Sequence, residues 1–395
     1  MAEPLLSRVP RSALAAGIVA LIATGLAVLA ALAGSVLPDR TGPPVESLVV
    51  ERTVLSAPGT IELVVRNAGP DPVTVAQVSV NDAFVAVTGG EQPIGRLASE
   101  TLRLDYPWEN GLPYTVSLLT STGAVIEHAI PMAAATPAAT SASLLQVALL
   151  GVMIGVVPVL LGMTTLPLLR RAGPTASRVL MALTVGLLAF LAVDAGIEGL
   201  EVGAAGAAAF GGSMLFVLGA ALAFLLLAGT QRLIPDTTRA GRVALLVAIG
   251  IGVHNLGEGL AVGSALAVGE LALGTSLVVG FALHNTTEGM AVVAPLTALP
   301  PVPAQPDRTV RPGRLLLLAI VAGGPAVVGT VLGATLTTES HATFLLGLGV
   351  GAIVQVIVLL VPQLRRPEGG LDLPVAAGLG AGVVLMYVTG LLVAA

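Results

Sequence analysis

From residue 144 onward the chain is a succession of eight apolar runs, at about 144–166, 177–199, 207–229, 243–265, 273–296, 315–337, 343–361 and 374–395. An α-helix rises 1.5 Å per residue, so roughly 20 apolar residues cross the ~30 Å hydrocarbon layer of a bilayer. Continuous runs of this length bond their backbone polar groups internally only as helices, which is what lipid demands. Only 10% of the 395 residues are charged, against about 25% in a soluble protein. The fold class expected is therefore a mainly α membrane protein. Small residues crowd the runs and allow helices to approach closely.

A ninth run, about 14–37, lies ahead of these and follows Arg8 and Arg11. A signal peptide is the alternative, since Ala-Gly-Ser follows. The run exceeds the usual apolar stretch of about 7–15 residues in such peptides, which favours an uncleaved anchor helix. Between Glu46 and Met132 charge returns and short alternating runs take over. Segments near 48–50, 60–66, 73–80, 101–104, 114–119 and 125–130 read as strands, and Asn67-Ala68-Gly69-Pro70-Asp71-Pro72 reads as a turn. Together they suggest a small all-β, immunoglobulin-like sandwich of about six or seven strands. A cupredoxin copper site needs His, Cys and Met ligands; this stretch has a single His, His128, and the whole chain has no Cys. A structural or partner-facing role fits the sandwich better. The expected organisation is residues 1–43 as cytoplasmic tail and anchor, 44–132 as extracytoplasmic sandwich, 133–142 as linker, and 143–395 as an eight-helix core.

Orientation follows from the basic residues, all eighteen of which are Arg. With the N-terminus in the cytoplasm, Arg170/Arg171/Arg178, Arg232/Arg239/Arg242, Arg308/Arg311/Arg314 and Arg365/Arg366 all fall on the cytoplasmic side, as the positive-inside rule requires. The opposite loops, near Glu201, Glu270 and Glu339, carry none. The sandwich and the C-terminus are then outside. Abundant Ala, Gly and Arg without Lys suits a GC-rich bacterial genome, hence an inner (plasma) membrane. No basic patch points to nucleic acid.

Two of the apolar runs carry the same polar pattern, H-N-x-x-E-G, at His254-Asn255-Leu256-Gly257-Glu258-Gly259 and His284-Asn285-Thr286-Thr287-Glu288-Gly289. Residues i and i+4 share a helix face, so each His projects with its Glu. Two such helices facing each other gather two imidazoles and two carboxylates. That donor set suits Zn²⁺ and tolerates Fe²⁺, Mn²⁺ or Cd²⁺. Asn255 and Asn285 supply either carbonyl oxygens or outer hydrogen bonds. Ionisable groups near the bilayer midplane are costly and mark transport pathways. A pair of His–Glu bonds merely stapling two helices would not need the same Asn and Gly positions twice. The metalloprotease string H-E-x-x-H is absent, and no nucleophile–base arrangement appears, so an enzyme is not expected. Metal binding requires neutral imidazoles and ionised carboxylates, so affinity should fall with pH.

These two stretches resemble the fourth and fifth membrane helices of the ZIP (Zrt- and Irt-like) family of zinc and iron transporters, and the eight runs resemble that family's core. The resemblance implies a 3+2+3 helix arrangement and uptake of divalent metal toward the cytoplasm. It places one metal position at His254, Glu258, His284 and Glu288. It implies a second at Asn255, Glu258, Asn285 and Glu288 with a Glu on the sixth core helix. There the chain departs from the pattern, because that helix reads Ala322-Gly323-Gly324-Pro325-Ala326. It departs again late in the seventh helix, where Val358-Leu359-Leu360-Val361-Pro362 replaces the acidic or His residues of many relatives. The Pro frequent inside the family's motif is missing too.

Asp194 and Glu198, four residues apart near the outer end of the second core run, form a candidate entrance for cations, or else a polar helix end. Gln355 and the Met residues Met163, Met181 and Met290 read as packing; Glu270, Glu339 and His341 read as solvated loop residues. The function expected is zinc uptake, with the ion entering near Asp194 and Glu198 and held at the His/Glu site. The rival is a metal-binding membrane sensor or assembly protein whose core does not transport. Expected partners are lipid, divalent ions and an unidentified ligand of the sandwich; a homodimer fits as well.

Overall fold

The computed structural model describes residues 20–21, 23–25, 27–28, 42–57, 59–130, 132–133, 135–136, 141–205, 211–230, 238–267, 271–298, 311–335, 339–365 and 369–394. The chain divides into two units, Met1–Val45 and Glu46–Ala395. In the first, the described residues between 20 and 28 are helical; the rest of the expected anchor lies outside the described residues. So do half of the expected linker and the residues Arg232, Glu270, Arg308 and Arg366.

The second unit begins with eight strands. They are β1 (Leu48–Ala57), β2 (Thr60–Asn67), β3 (Val75–Val80), β4 (Ala83–Val85), β5 (Val87–Thr88), β6 (Ser99–Asp105), β7 (Tyr114–Thr120) and β8 (Val125–Ile130). They form two antiparallel four-stranded sheets, ordered β1-β2-β6-β5 and β4-β3-β7-β8. The sequence predicts six or seven strands. The additional ones, β4 and β5, have three and two residues, too short to show alternation. Ile61, Leu63 and Val65 of β2 and Leu102 and Leu104 of β6 are fully buried, against Val78, Val116 and Leu118 of the other sheet. Each such side chain contributes about 1.5–3 kcal/mol by leaving water. Asn67 organises the turn after β2. Its Nδ2 donates to Asp71 O at 2.7 Å and Ile94 O at 2.8 Å, and its Oδ1 accepts from Gly69 N at 2.8 Å.

The helical region comprises α1 (Ser141–Gly151), a π-helical segment (Val152–Val156), α2 (Val157–Met163), α3 (Leu166–Ala205), α4 (Ser213–Thr230), α5 (Arg239–Ala267), α6 (Leu271–Val293), α7 (Pro312–Thr335), α8 (Glu339–Leu364) and α9 (Leu373–Ala394). A short 3₁₀ turn, Ala294–Ala298, extends α6. Within α3 the helix breaks at Gly173, whose φ of 84° and ψ of 172° are open only to glycine. The first crossing thus runs from Ser143 to Arg171 and the second from Thr175 to Ala204.

Among the described residues, seven helices are long and apolar enough to cross a membrane. Nine were expected, the anchor, which lies largely outside the described residues, and eight in the core. The core helix outside these seven, α6, has 23 residues but is less apolar, because His284, Asn285, Thr286, Thr287 and Glu288 stand together in its middle. The third crossing begins at Ser213, six residues later than the apolar run suggests.

Of these seven, the crossing in α5 is the most buried, with 72% of its most apolar stretch inside the protein against 22–50% in the other six. It packs on α6, α7 and α8, while α6 packs on the first crossing, α3, α5 and α9. Glycines bring α5 and α7 together. A Cβ at Gly259 would collide with Ala326 O, one at Gly263 with Thr330 O, one at Gly329 with Leu256 O and one at Gly333 with Leu260 O. The outer faces are apolar: Met214, Leu218 and Leu225 of α4 and Val384, Tyr387 and Leu391 of α9 are exposed. The chain is a mainly α protein of multi-pass membrane character with a small N-terminal all-β region.

Candidate metal centre

Both polar patterns fall inside continuous helix, the first in α5 and the second in α6. His254, Asn255, Glu258, His284, Asn285 and Glu288 are all buried, with exposures of 0–6%. The i, i+4 spacing places His254 Nε2 3.1 Å from Glu258 Oε1 within α5. From α6, His284 Nε2 approaches the same oxygen at 2.5 Å, and Asn285 Nδ2 donates to Glu258 Oε2 at 2.9 Å. Glu258 is therefore the hub, held by two imidazoles and an amide.

Glu288 is different. Its Oε1 lies 4.0 Å from His254 Nε2, and neither of its oxygens accepts a hydrogen bond. A buried carboxylate with no donor is costly. Asn255 Oδ1 and Asn285 Oδ1 are likewise buried without a donor. An ionised carboxylate only accepts, so a cation beside Glu288 would satisfy it. His254, Glu258 and His284 offer one ligand atom each, all within 4.8 Å of one another. Tetrahedral bonds of about 2.0–2.2 Å place ligand atoms roughly 3.3–3.6 Å apart. The 3.1 Å and 4.0 Å separations of His254 Nε2 from Glu258 and Glu288 bracket that spacing.

The surroundings repeat as the motifs do. Asn255 Nδ2 donates to Ala322 O of α7 at 3.0 Å, and Asn285 Nδ2 donates to Ile154 O of the π segment at 2.8 Å. Gly259 lies against Ala326 O, and Gly289 lies against Val159 O. The two carbonyl donees sit in similar strings, Ala322-Gly323-Gly324-Pro325-Ala326 and Ile154-Gly155-Val156-Val157-Pro158-Val159. Gly155 and Gly323 meet where the two segments cross, and a Cβ on either would strike the other's backbone. Sequence reasoning missed Ile154, Gly155 and Pro158. The signal was available as a second internal repeat, a Gly followed by Pro within an apolar run, with one extra residue in the first copy.

Asp194 and Glu198 lie on an exposed face of α3 with Val193 and Ile197, and among the described residues they do not join the His/Glu cluster. Gln355 is buried in α8, and its Oε1 has no hydrogen-bond partner. Met163 and Met181 are core residues. His341 is exposed. Gly324 meets only Ile320 in the space a Cβ would take.

A small cavity adjoins the centre, lined by Thr184, Leu187, Leu188 and Leu191 of α3, His284, Thr287 and Glu288 of α6, and Met386 of α9. Geometry and chemistry together make this a buried His/Glu cluster able to bind a metal, inside a protein of multi-pass membrane character. No protein-family model matches the sequence, and no curated protein matches it.

Proposed function

We propose that the protein is a divalent-metal carrier of the ZIP type, moving zinc toward the cytoplasm. The observation that carries this reading is the buried His254–Glu258–His284 cluster, with the donorless carboxylate of Glu288 beside it, held between two central helices. The mixed nitrogen and oxygen donors favour Zn²⁺ and admit Fe²⁺, Mn²⁺ or Cd²⁺. The two carboxylates balance one divalent charge, so a single ion leaves the centre neutral; a second would strand charge in a low-dielectric interior. An ion reaches this centre only after the helices separate, because none of the six side chains is open to solvent in this conformation. The sandwich, whose strand order matches that of immunoglobulin-like domains, is read as the extracytoplasmic partner-facing module of an inner-membrane protein.

The test is uptake into liposomes containing a zinc-sensitive dye. Saturable uptake is expected from the whole chain and none from a variant carrying both His254→Ala and Glu288→Ala; unchanged uptake in that variant refutes the site. Gly324, standing where the resemblance implies a Glu, favours a second reading, a membrane sensor that binds metal without moving it. Zinc binding without flux in the same liposomes selects that reading.

A further inference from the structure

Asn255 and Asn285 stand beside the metal centre, and their amides face two ways. One way is toward backbone. Pro158 has no N–H, so it cannot bond Ile154 O, the carbonyl four residues before it in the helix. The segment relaxes into a π-helical turn, where Val157 N reaches back to Val152 O. Ile154 O is met by Asn285 Nδ2 at 2.8 Å. Pro325 likewise leaves the carbonyl of Val321 without a helical donor. The neighbouring carbonyl, Ala322 O, receives Asn255 Nδ2 at 3.0 Å. Carbonyl oxygens only accept, so the NH₂ end of each amide must face them; this fixes which way round both side chains lie.

The second way is toward the ligands. The other bond from Asn285 Nδ2 goes to Glu258 Oε2 at 2.9 Å, while Glu258 Oε1 meets both imidazoles. A continuous path therefore runs from the Pro158 break, through Ile154 O and Asn285, to the carboxylate at the hub.

We propose that Asn255 and Asn285 are positioning residues, pinning the motif helices to backbone carbonyls in the two Pro-containing segments, and that Asn285 orients Glu258 without itself ligating the ion. This rests on the metal-site reading above. Outer partners that orient a ligand typically contribute about 10–100-fold to metal affinity. A carboxylate at either position would be the better metal ligand but would lose the NH₂ donor and set oxygen against oxygen at Ile154 O or Ala322 O. The two roles for Asn thus predict opposite results.

The experiment is calorimetric titration of the detergent-solubilised full chain with Zn²⁺, and with Cd²⁺ as a second probe. Asn285→Asp is expected to lower affinity at least about 10-fold, and Asn255→Asp to lower it less, since Asn255 makes no such bond to Glu258. Pro158→Ala, at a residue remote from the ion in this scheme, restores an N–H for Ile154 O and should also weaken binding. In the Pro158→Ala background, Asn285→Ala should then cost much less than it does alone, a coupling that two independent effects would not produce. Equal or tighter binding by Asn285→Asp overturns the proposal, as do additive effects in the double variant if Asn285→Asp does not fold. Absence of binding by the unaltered chain instead refutes the metal-site reading, so the two failures are distinct.

Discussion

The two regions of this protein are built inside out relative to each other. In the sandwich, Ile61, Leu63, Leu102, Leu104 and Leu118 are fully buried. Charge lies toward its surface, as in the partly exposed pair Arg103–Glu62, a contact worth about 0–1 kcal/mol. In the helical region Leu218 and Leu225 of α4 and Leu391 of α9 face outward, and the buried centre holds two His, two Asn and two Glu. The solvent accounts for the reversal. Water drives apolar side chains together around the strands. Lipid gives no such force between helices, which associate through close backbone contact and polar bonds. The sandwich spends its interior on stability; the helical region can keep a polar centre only where its six residues find partners or a cation.

That contrast can be attacked at several points. The largest effect belongs to the polar centre: Glu258→Ala removes the hub shared by His254 and His284, and zinc binding measured by titration should fall by more than the 10–100-fold typical of outer partners. Retained affinity would show that the centre is a helix staple. Next, Leu63→Ala should cost the sandwich about 2–5 kcal/mol. Trp108, the single Trp of the chain, is buried in the sandwich core, so its fluorescence reports that loss during denaturation of the whole protein. Zinc titration should be unchanged, and a loss there would mean that the regions are energetically joined.

Third, Gly259→Val drives side-chain atoms into the backbone of α7 at Ala326 and should cost about 1–3 kcal/mol by overpacking, read as a lower Tm of the detergent-solubilised helical signal. Gly313, which meets nothing within 4 Å, is the control. The smallest effect concerns His128, which bonds Thr53 Oγ1 at 2.9 Å and whose pKa burial pushes below the ordinary imidazole value. The unfolded chain then binds the proton more readily, so this contribution is complete above about pH 6.5 and is lost as pH falls below it. The Trp108 denaturation midpoint should drop between pH 7.5 and 5, and His128→Gln should flatten that drop.

How legible each part was depends on the range of the interaction. The i, i+4 pairing of His254 with Glu258 is readable from spacing alone, since helical geometry is local. Strands β2, β7 and β8 show their alternation over six to eight residues. Strand β5, of two residues, exists only because Val87 and Thr88 pair with Leu104 and Arg103, a contact no local pattern announces. Length ranked α6 with the other crossings, although its polar cluster keeps it out of the seven helices long and apolar enough to cross a membrane.

The sequence by itself determined that this chain belongs largely in lipid, that a small all-β region precedes the helices, and that two helices carry matched His and Glu. Those properties follow from composition and short-range periodicity, which every residue expresses whatever its neighbours. Only the tertiary structure decided that Glu258 is the hub while Glu288 is left without a donor. It also decided that Ile154 O and Ala322 O, carbonyls more than sixty residues away in sequence, receive the two Asn side chains. Hydrogen bonds across that separation depend on which helices come to lie side by side, and the glycines where their backbones meet set how closely they do so.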